Sequence, residues 1–421
     1  METLRSRRET HDIQFAAVDA LHKTYLKNFT DDPEAQKKAE SVRAIAEEFF
    51  EEQVANTELF RSEKHGVSFL HSAVGVGELA KKLYERHTGT VLALGAEEST
   101  GKSHDEFIFP SFFQPQNPNA LFVFFEQGLN QLITHLPSAL EDIQQGKEPP
   151  RYAVHFIFTP MRDIGHITPE FVEKLKDGKS FNVFGELYAD LVKQRASSEG
   201  IIALRGISMG APLALKTAEQ LLHEGVVTQD TENKTLSRLV VRIDTPPSQN
   251  DTQSFERAKQ VQLGFAVDGL RGLVSDPMAR ASGKPWGGTL VKNLLPILEK
   301  KGIREEMSPE DVALKKEAIT LTLQDFYNGM PVPADVKVTE VVGTSDTTMF
   351  MPFSRAKREI KEKVAEQSAE FDGSLGEKII SDNPQRRTFA ADMGHVIPNI
   401  TDTAMRRLDR VAKALQSLKN E

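Results

Sequence analysis

An apolar run, a serine bracketed by glycines and an alanine- and leucine-rich stretch follow one another between Ile201 and Leu222. The run IIALR, 201–205, has the apolar density of a buried strand, and APLALKTAEQLL, 211–222, spaces its apolar residues as a helix does. Between them stand Gly206, Ile207, Ser208, Met209 and Gly210, a G-x-S-x-G element. A chain that passes from strand to helix in so few residues has to turn sharply. Glycines at both ends of the turn remove side chains that would collide there, and the serine is carried to the exposed tip. The helix that follows aims its free N–H groups and positive dipole end at that tip, where they stabilise negative charge. The five-residue pattern alone is common by chance; its place between strand and helix gives it weight.

The same alternation organises much of the chain. HDEFIFPSFF (104–113), NALFVFFEQG from Asn119, RYAVHFIFTP (151–160), LSRLVVRIDTPP ending its strand at Asp244, DVKVTEVVG (335–343) and RRTFAADMGH (386–395) read as strands, separated by helical patterns such as 131–144 and FGELYADLVKQRA. Strands in alternation with helices predict an α/β fold with a mostly parallel central sheet and helices on both faces. GTVLALGAEE (89–98) and HDEFIFPSFF read as the two strands of a hairpin. Residues 1–88 read as a helical N-terminal extension, with Val42, Ile45, Phe49 and Val54 at helix-like intervals. Residues 248–333, mostly helical and linked by ASGKPWGG, interrupt the alternation and read as a lid or cap. The expected core is therefore 89–247 together with 334–421, closed by an amphipathic helix, TAMRRLDRVAKALQSL.

Composition narrows the chemistry. The 421 residues suffice for a large core, and 39% hydrophobic with 27% charged residues is ordinary for a globular protein. No apolar run approaches the roughly 18 residues that would span a bilayer. METLRSRRETHDIQF has arginines without an apolar stretch behind them, and its acidic residues are unlike a transit peptide, so a cytoplasmic address is expected. The absence of cysteine excludes thiol nucleophiles, disulfides and cysteine-ligated metal centres. A formal net charge of -9 offers no general attraction to nucleic acid, and the basic stretch RAKREIKEK (355–363) reads as a solvated helix face.

A serine hydroxyl needs a base to take its proton, and the base needs an acid to orient it. Of eleven histidines only His223 and His395 follow Ser208. His223 falls near the far end of the helix that starts at the turn, roughly 20 Å away and out of reach. His395, after a strand and a glycine in FAADMGHVIP, is the candidate base. Asp346, in EVVGTSDTTMFMP, is the first candidate for the acid, and Asp244 at the end of VVRID is the second. Aspartate also commonly caps turns and helices, a structural role open to either.

With these residues in order, the chain from about Thr90 onward resembles the α/β-hydrolases, whose chain order of serine, acid and histidine is met by Ser208, Asp346 and His395. The resemblance implies an oxyanion hole formed by the N–H of Met209 and a second N–H from the loop after the third strand. That loop often begins His-Gly in the family; here it reads Glu126, Gln127, Gly128, Leu129, Asn130, with glutamine in the histidine's place, and Leu129 is the expected donor. MRDIGH (161–166) resembles the loop after the fourth strand, with Asp163 and His166 stabilising a turn.

Two other signals carry less. AEESTGKS (96–103) approximates a phosphate-binding loop, but Glu97 and Glu98 would face the phosphate and a strand pattern follows where a helix is required, so a turn is expected. Trp286, between the lid helices, reads as packing or as part of an apolar cleft. No cofactor, metal or nucleic-acid partner is expected. The function read from the sequence is a serine hydrolase of esters or related acyl compounds. Thioesterase, peptidase and acyltransferase chemistry use the same triad, and a non-catalytic scaffold with the same fold is the competing class. Oligomeric state is not legible.

Overall fold

The computed structural model describes residues 33, 45, 47–49, 51–52, 55–89, 104–109, 136–149, 152–157, 164–196, 200–207, 210–228, 238–244, 308–328, 335–343, 371–372, 377–382 and 386–391. Among these residues eleven strands form one sheet: β1 (Thr57–Ser62), β2 (Val67–Gly75), β3 (His104–Phe109), β4 (Tyr152–Ile157), β5 (Ile164–Ile167), β6 (Ile201–Ile207), β7 (Leu239–Asp244), β8 (Val338–Gly343), β9 (Phe371–Asp372), β10 (Glu377–Asp382) and β11 (Arg386–Ala391). Their spatial order is β1-β2-β4-β3-β6-β7-β8-β11-β10-β9, with β5 beside β2. Every neighbouring pair from β4 to β11 is parallel. Antiparallel strands close both sides, β2 with β1 at one and β10 with β9 at the other. This is the α/β fold with a mostly parallel central sheet that the alternation of strands and helices implies.

Among the described residues five helices are delimited: α1 (Val76–Thr88), α2 (Pro169–Lys174), α3 (Ser180–Arg195), α4 (Gly210–His223) and α5 (Pro309–Asn328). The main core lies between the sheet and α3 with α4. There Tyr188 of α3 packs its ring edge-on against Phe69, and beside Phe109 and Phe184. Leu204, Ile202, Leu213, Ala214 and Ala218 fill the space beside it. The two helices approach so closely that a Cβ at Gly185 would stand 2.8 Å from the carbonyl carbon and the Cβ of Lys216. Only glycine permits that spacing without a shift of one helix.

The structure corrects several sequence readings. The helical extension 1–88 is helical at its end, in α1, but 57–75 is the β1–β2 hairpin and belongs to the central sheet. Buried Ser68, His71 and Ser72 interrupt the apolar pattern of β2 and hide the strand. The hairpin expected between 89–98 and 104–113 does not form as such, because β3 has parallel neighbours on both sides, β4 and β6. MRDIGH is not wholly loop: from Ile164 it enters β5, with His166 in register with Ser68.

The lid expected over 248–333 is also reduced. Its closing helix, α5, is a body helix that packs on α2, α3 and β5, with Ala318 and Thr322 fully buried on one face. The Thr322 hydroxyl donates to the Ala318 carbonyl at 2.8 Å, which satisfies it inside the core. Asp325 of the same helix accepts a hydrogen bond from the backbone N–H of Ser180 at 2.9 Å and so caps the start of α3. Residues 248–307, Trp286 among them, lie outside the described residues.

Candidate active site

Parallel strands present all their C-terminal ends at one edge of the sheet. Those ends are Phe109, Ile157, Ile207, Asp244, Gly343 and Ala391. The chain leaves β3 toward β4 on one side and leaves β6 toward β7 on the other, so the loops that follow β3 and β6 diverge. Such a switch point opens a crevice where ligands of open α/β sheets bind. Phe109 and Gly206 are in register at its floor.

The elbow sits on this crevice. β6 ends at Ile207 and α4 starts at Gly210, leaving two residues, Ser208 and Met209, for the reversal. The backbone folds back so tightly that a Cβ at Gly206 would lie 2.1 Å from the Gly210 carbonyl oxygen, 2.4 Å from its carbon and 2.7 Å from Cα of Ala211. No side chain fits there, so the first glycine of the motif is required by contact. The second, Gly210, is buried at the foot of the helix. The first turn of α4 contains no acidic residue, so its positive end is not neutralised from within the helix.

Ser208, Met209, Leu129, Asp346 and His395 all lie outside the described residues, as do Glu126–Asn130 and 96–103. The elements on either side of them are described. Leu129 belongs to the connection from β3 to the helical residues 136–144. Asp346 follows the end of β8 by three residues and His395 follows the end of β11 by four. Asp244 is the last residue of β7, in register with Ile207 on one side and Val341 on the other. His223 is the last residue of α4, at the opposite end from the elbow. Where a phosphate-binding loop would require a helix after Ser103, β3 begins at His104.

Sequence reading passed over a group of polar residues in the core. Glu58, His71, Asp105 and His155 lie near one another on β1, β2, β3 and β4, the strands to one side of β6. The signal was a histidine or acid interrupting the apolar pattern in each of VSFLHSAVG, HDEFIF and YAVHFI. Among the described residues no group of three or more His, Cys, Asp or Glu could hold a metal ion. No described helix is long and apolar enough to cross a membrane.

No protein-family model matches the chain, and no curated protein sequence does. Among solved structures it is similar to the thioesterase of the prodiginine biosynthetic pathway from Streptomyces coelicolor, with 13% identity over 78% of this chain and 93% of that one and a TM-score of 0.34. It is also similar to the type II thioesterase YbtT of the yersiniabactin pathway, at 13% identity over 82% and 98% with a TM-score of 0.34. A third is a 2,6-dihydroxy-pseudo-oxynicotine hydrolase, at 10% identity over 95% and 88% with a TM-score of 0.31.

Proposed function

We propose that this protein is a serine hydrolase that cleaves an ester or related acyl bond through an acyl-enzyme, with Ser208 as nucleophile, His395 as base and Asp346 as the acid that orients it. The observation that carries the reading is the backbone contact between Gly206 and Gly210 at the mouth of the switch-point crevice. A turn that tight at the end of a central parallel strand is what lifts a nucleophile out of the sheet.

The strand ends support the rest. From β6 to β8 is two strand spacings, about 10 Å, and from β6 to β11 three, about 14 Å. Three or four extended residues reach about 10 to 14 Å, so the connections after Gly343 and Ala391 are long enough to return over the crevice. Asp244, inside the sheet ladder beside Ile207, is the alternative acid.

In this mechanism the Ser208 hydroxyl attacks the acyl carbonyl carbon as His395 accepts its proton. The oxyanion that forms accepts hydrogen bonds from the N–H groups of Met209 and Leu129 and lies at the positive end of α4. Collapse of the intermediate breaks the bond to the leaving group, which takes the proton from His395. Water then attacks the acyl-enzyme by the same route and restores Ser208.

A fluorophosphonate probe tests the proposal on the full chain. The wild-type protein should be labelled and the folded Ser208→Ala variant should not. A folded wild-type protein that stays unlabelled sinks the enzyme reading and leaves the scaffold reading. A panel of esters and thioesters graded in acyl length then assigns the substrate class by kcat/KM.

A further inference from the structure

A cavity of about 340 Å³ opens between the turn that joins β1 to β2, the end of α2 and the first turns of α3. In the sheet order β2 stands three places from β6, so this cavity is separate from the crevice at the elbow. Its volume is at the small end of the range in which proteins bind ligands and exceeds what a bare ion needs. His65, in the turn, lines the cavity and is only 4% exposed, whereas Lys64, Lys174 and Lys179 beside it are exposed. The imidazole therefore forms the floor, and the ammonium groups form the rim.

Among the described residues neither ring nitrogen of His65 has a hydrogen-bond partner. Nε2 is 3.8 Å from Oδ2 of Asp190, too far for a hydrogen bond, and Asp190 is held by Lys193 at 2.6 Å. Burial, with the charge of Lys64 adding to it, lowers the pKa of His65. The ring is therefore neutral near pH 7 and still has one N–H to give. Buried polar groups are nearly always paired, so an unpaired one in a cavity wall points to a partner that enters from outside.

The rim sets the chemistry of that partner. Four lysines and three acids line the cavity, an excess of one positive charge. Glu186 pairs with Lys64 at 3.4 Å and Glu173 with Lys176 at 2.5 Å, which leaves Lys174 and Lys179 without a carboxylate partner among the described residues. Lys174 donates to the carbonyl of Lys64 at 3.1 Å, which holds it beside the turn. Asp177, exposed in the turn before α3, works against an anion here. The donors come from three separate elements, and no arginine lines the cavity. A carboxylate, with two oxygens in one plane, is matched best by the fork of an arginine. A phosphoryl group, with three oxygens and close to two negative charges, suits separate ammonium groups.

We propose that this cavity binds a small organic phosphate, its phosphoryl group held between His65 and the ammonium groups of Lys64, Lys174 and Lys179, and its organic part against Val183. The phosphoryl oxygens accept the N–H of His65 and the free N–H groups of the lysines, each of which has three to give. Val183, half-buried on α3, supplies the apolar wall. The site is independent of the chemistry at the elbow.

The test is an NMR titration of the full chain, labelled with 15N, in phosphate-free buffer at constant ionic strength. The ring signals of His65, identified by their loss in His65→Gln, and the amide of Gly66 should move with added glycerol 3-phosphate and saturate below about 10 mM. Lys174→Gln and Lys179→Gln, at exposed positions, should each weaken binding about fivefold, and Asp177→Asn should strengthen it by a similar factor. Glycerate, with a carboxylate in place of the phosphate, and inorganic phosphate, with no organic part, should both bind more weakly. The absence of a saturable shift, or affinities unchanged in both lysine variants, overturns the site. Glycerate binding as tightly as the ester overturns the phosphoryl assignment, and inorganic phosphate doing so overturns the organic part.

Discussion

Replacing Gly206 by alanine should both destabilise the fold and disable the elbow. The new Cβ would stand 2.1 Å from the Gly210 carbonyl oxygen, about 1.3 Å inside the 3.4 Å at which ordinary contact begins. The atoms in the way are backbone, at the start of a helix whose first residues are buried, so neither partner can rotate aside. Overpacking in a close-packed interior costs typically 1–3 kcal/mol, and a clash with backbone belongs at the upper end, about 3 kcal/mol. Relief by moving the start of α4 about 1 Å would displace Ser208 by a similar amount, which costs about 100-fold in rate. Gly185→Ala is the matched control. Its Cβ meets Lys216 at 2.8 Å, so it should destabilise by about 1–3 kcal/mol through α3 and α4 while leaving the elbow intact. Urea unfolding would measure stability, and the second-order rate of fluorophosphonate labelling, taken on fully folded protein, would measure the elbow. If Gly206→Ala is labelled at the wild-type rate, or loses less than 0.5 kcal/mol, the contact does not shape the site and the argument is wrong.

Four further outcomes are expected. Asp346→Asn should lower kcat by orders of magnitude while Asp244→Asn does not; the reverse result would move the acid to β7. The hydroxyl of Tyr188 is buried without a hydrogen-bond partner among the described residues, so Tyr188→Phe should be neutral or stabilising by about 1 kcal/mol, and a clear loss in urea melts would reveal a partner for that hydroxyl. Asp325→Ala should cost about 1 kcal/mol by uncapping α3, with unchanged labelling by the probe. His71 has a folded pKa of about 4 against about 6.5 when unfolded, so the unfolded chain binds its proton more tightly. Its effect on stability is nil above about pH 6.5, grows as the pH falls, and reaches about 3 kcal/mol near pH 4. Chemical denaturation at successive pH values should show that slope, and a flat profile would contradict the burial of His71.

The middle of the sheet was legible because its strands are dense in aliphatic residues. IIALR, VVRID and TEVVG announce themselves as runs ended by glycine or aspartate, and each became a central parallel strand. The flanking strands were not legible, for an equally physical reason. β2 buries Ser68, His71 and Ser72, and β10, EKIISD, carries charges at both ends near the margin of the sheet. α5 was recognised as a helix but placed in a lid, because sequence periodicity reports that a helix has a buried stripe and not what buries it. In the candidate site, chain order and the two glycines were readable, since steric requirements are local. How the loops carrying Leu129, Asp346 and His395 run is decided by distant contacts that no spacing records.

The cap on α3 has a consequence for the order of assembly. Ser180 and the carboxylate that holds its N–H, on Asp325, are separated by 145 residues. During synthesis at about 5 to 20 residues per second, α3 exists for about 7 to 30 s before its cap has been made. Through that interval β6, the elbow and α4 have already emerged, while the face that α5 will cover stays open to water and to other chains. A stalled ribosome between those two positions would therefore present an intact elbow on an unfinished core, and chaperone dependence should concentrate in that window of chain length.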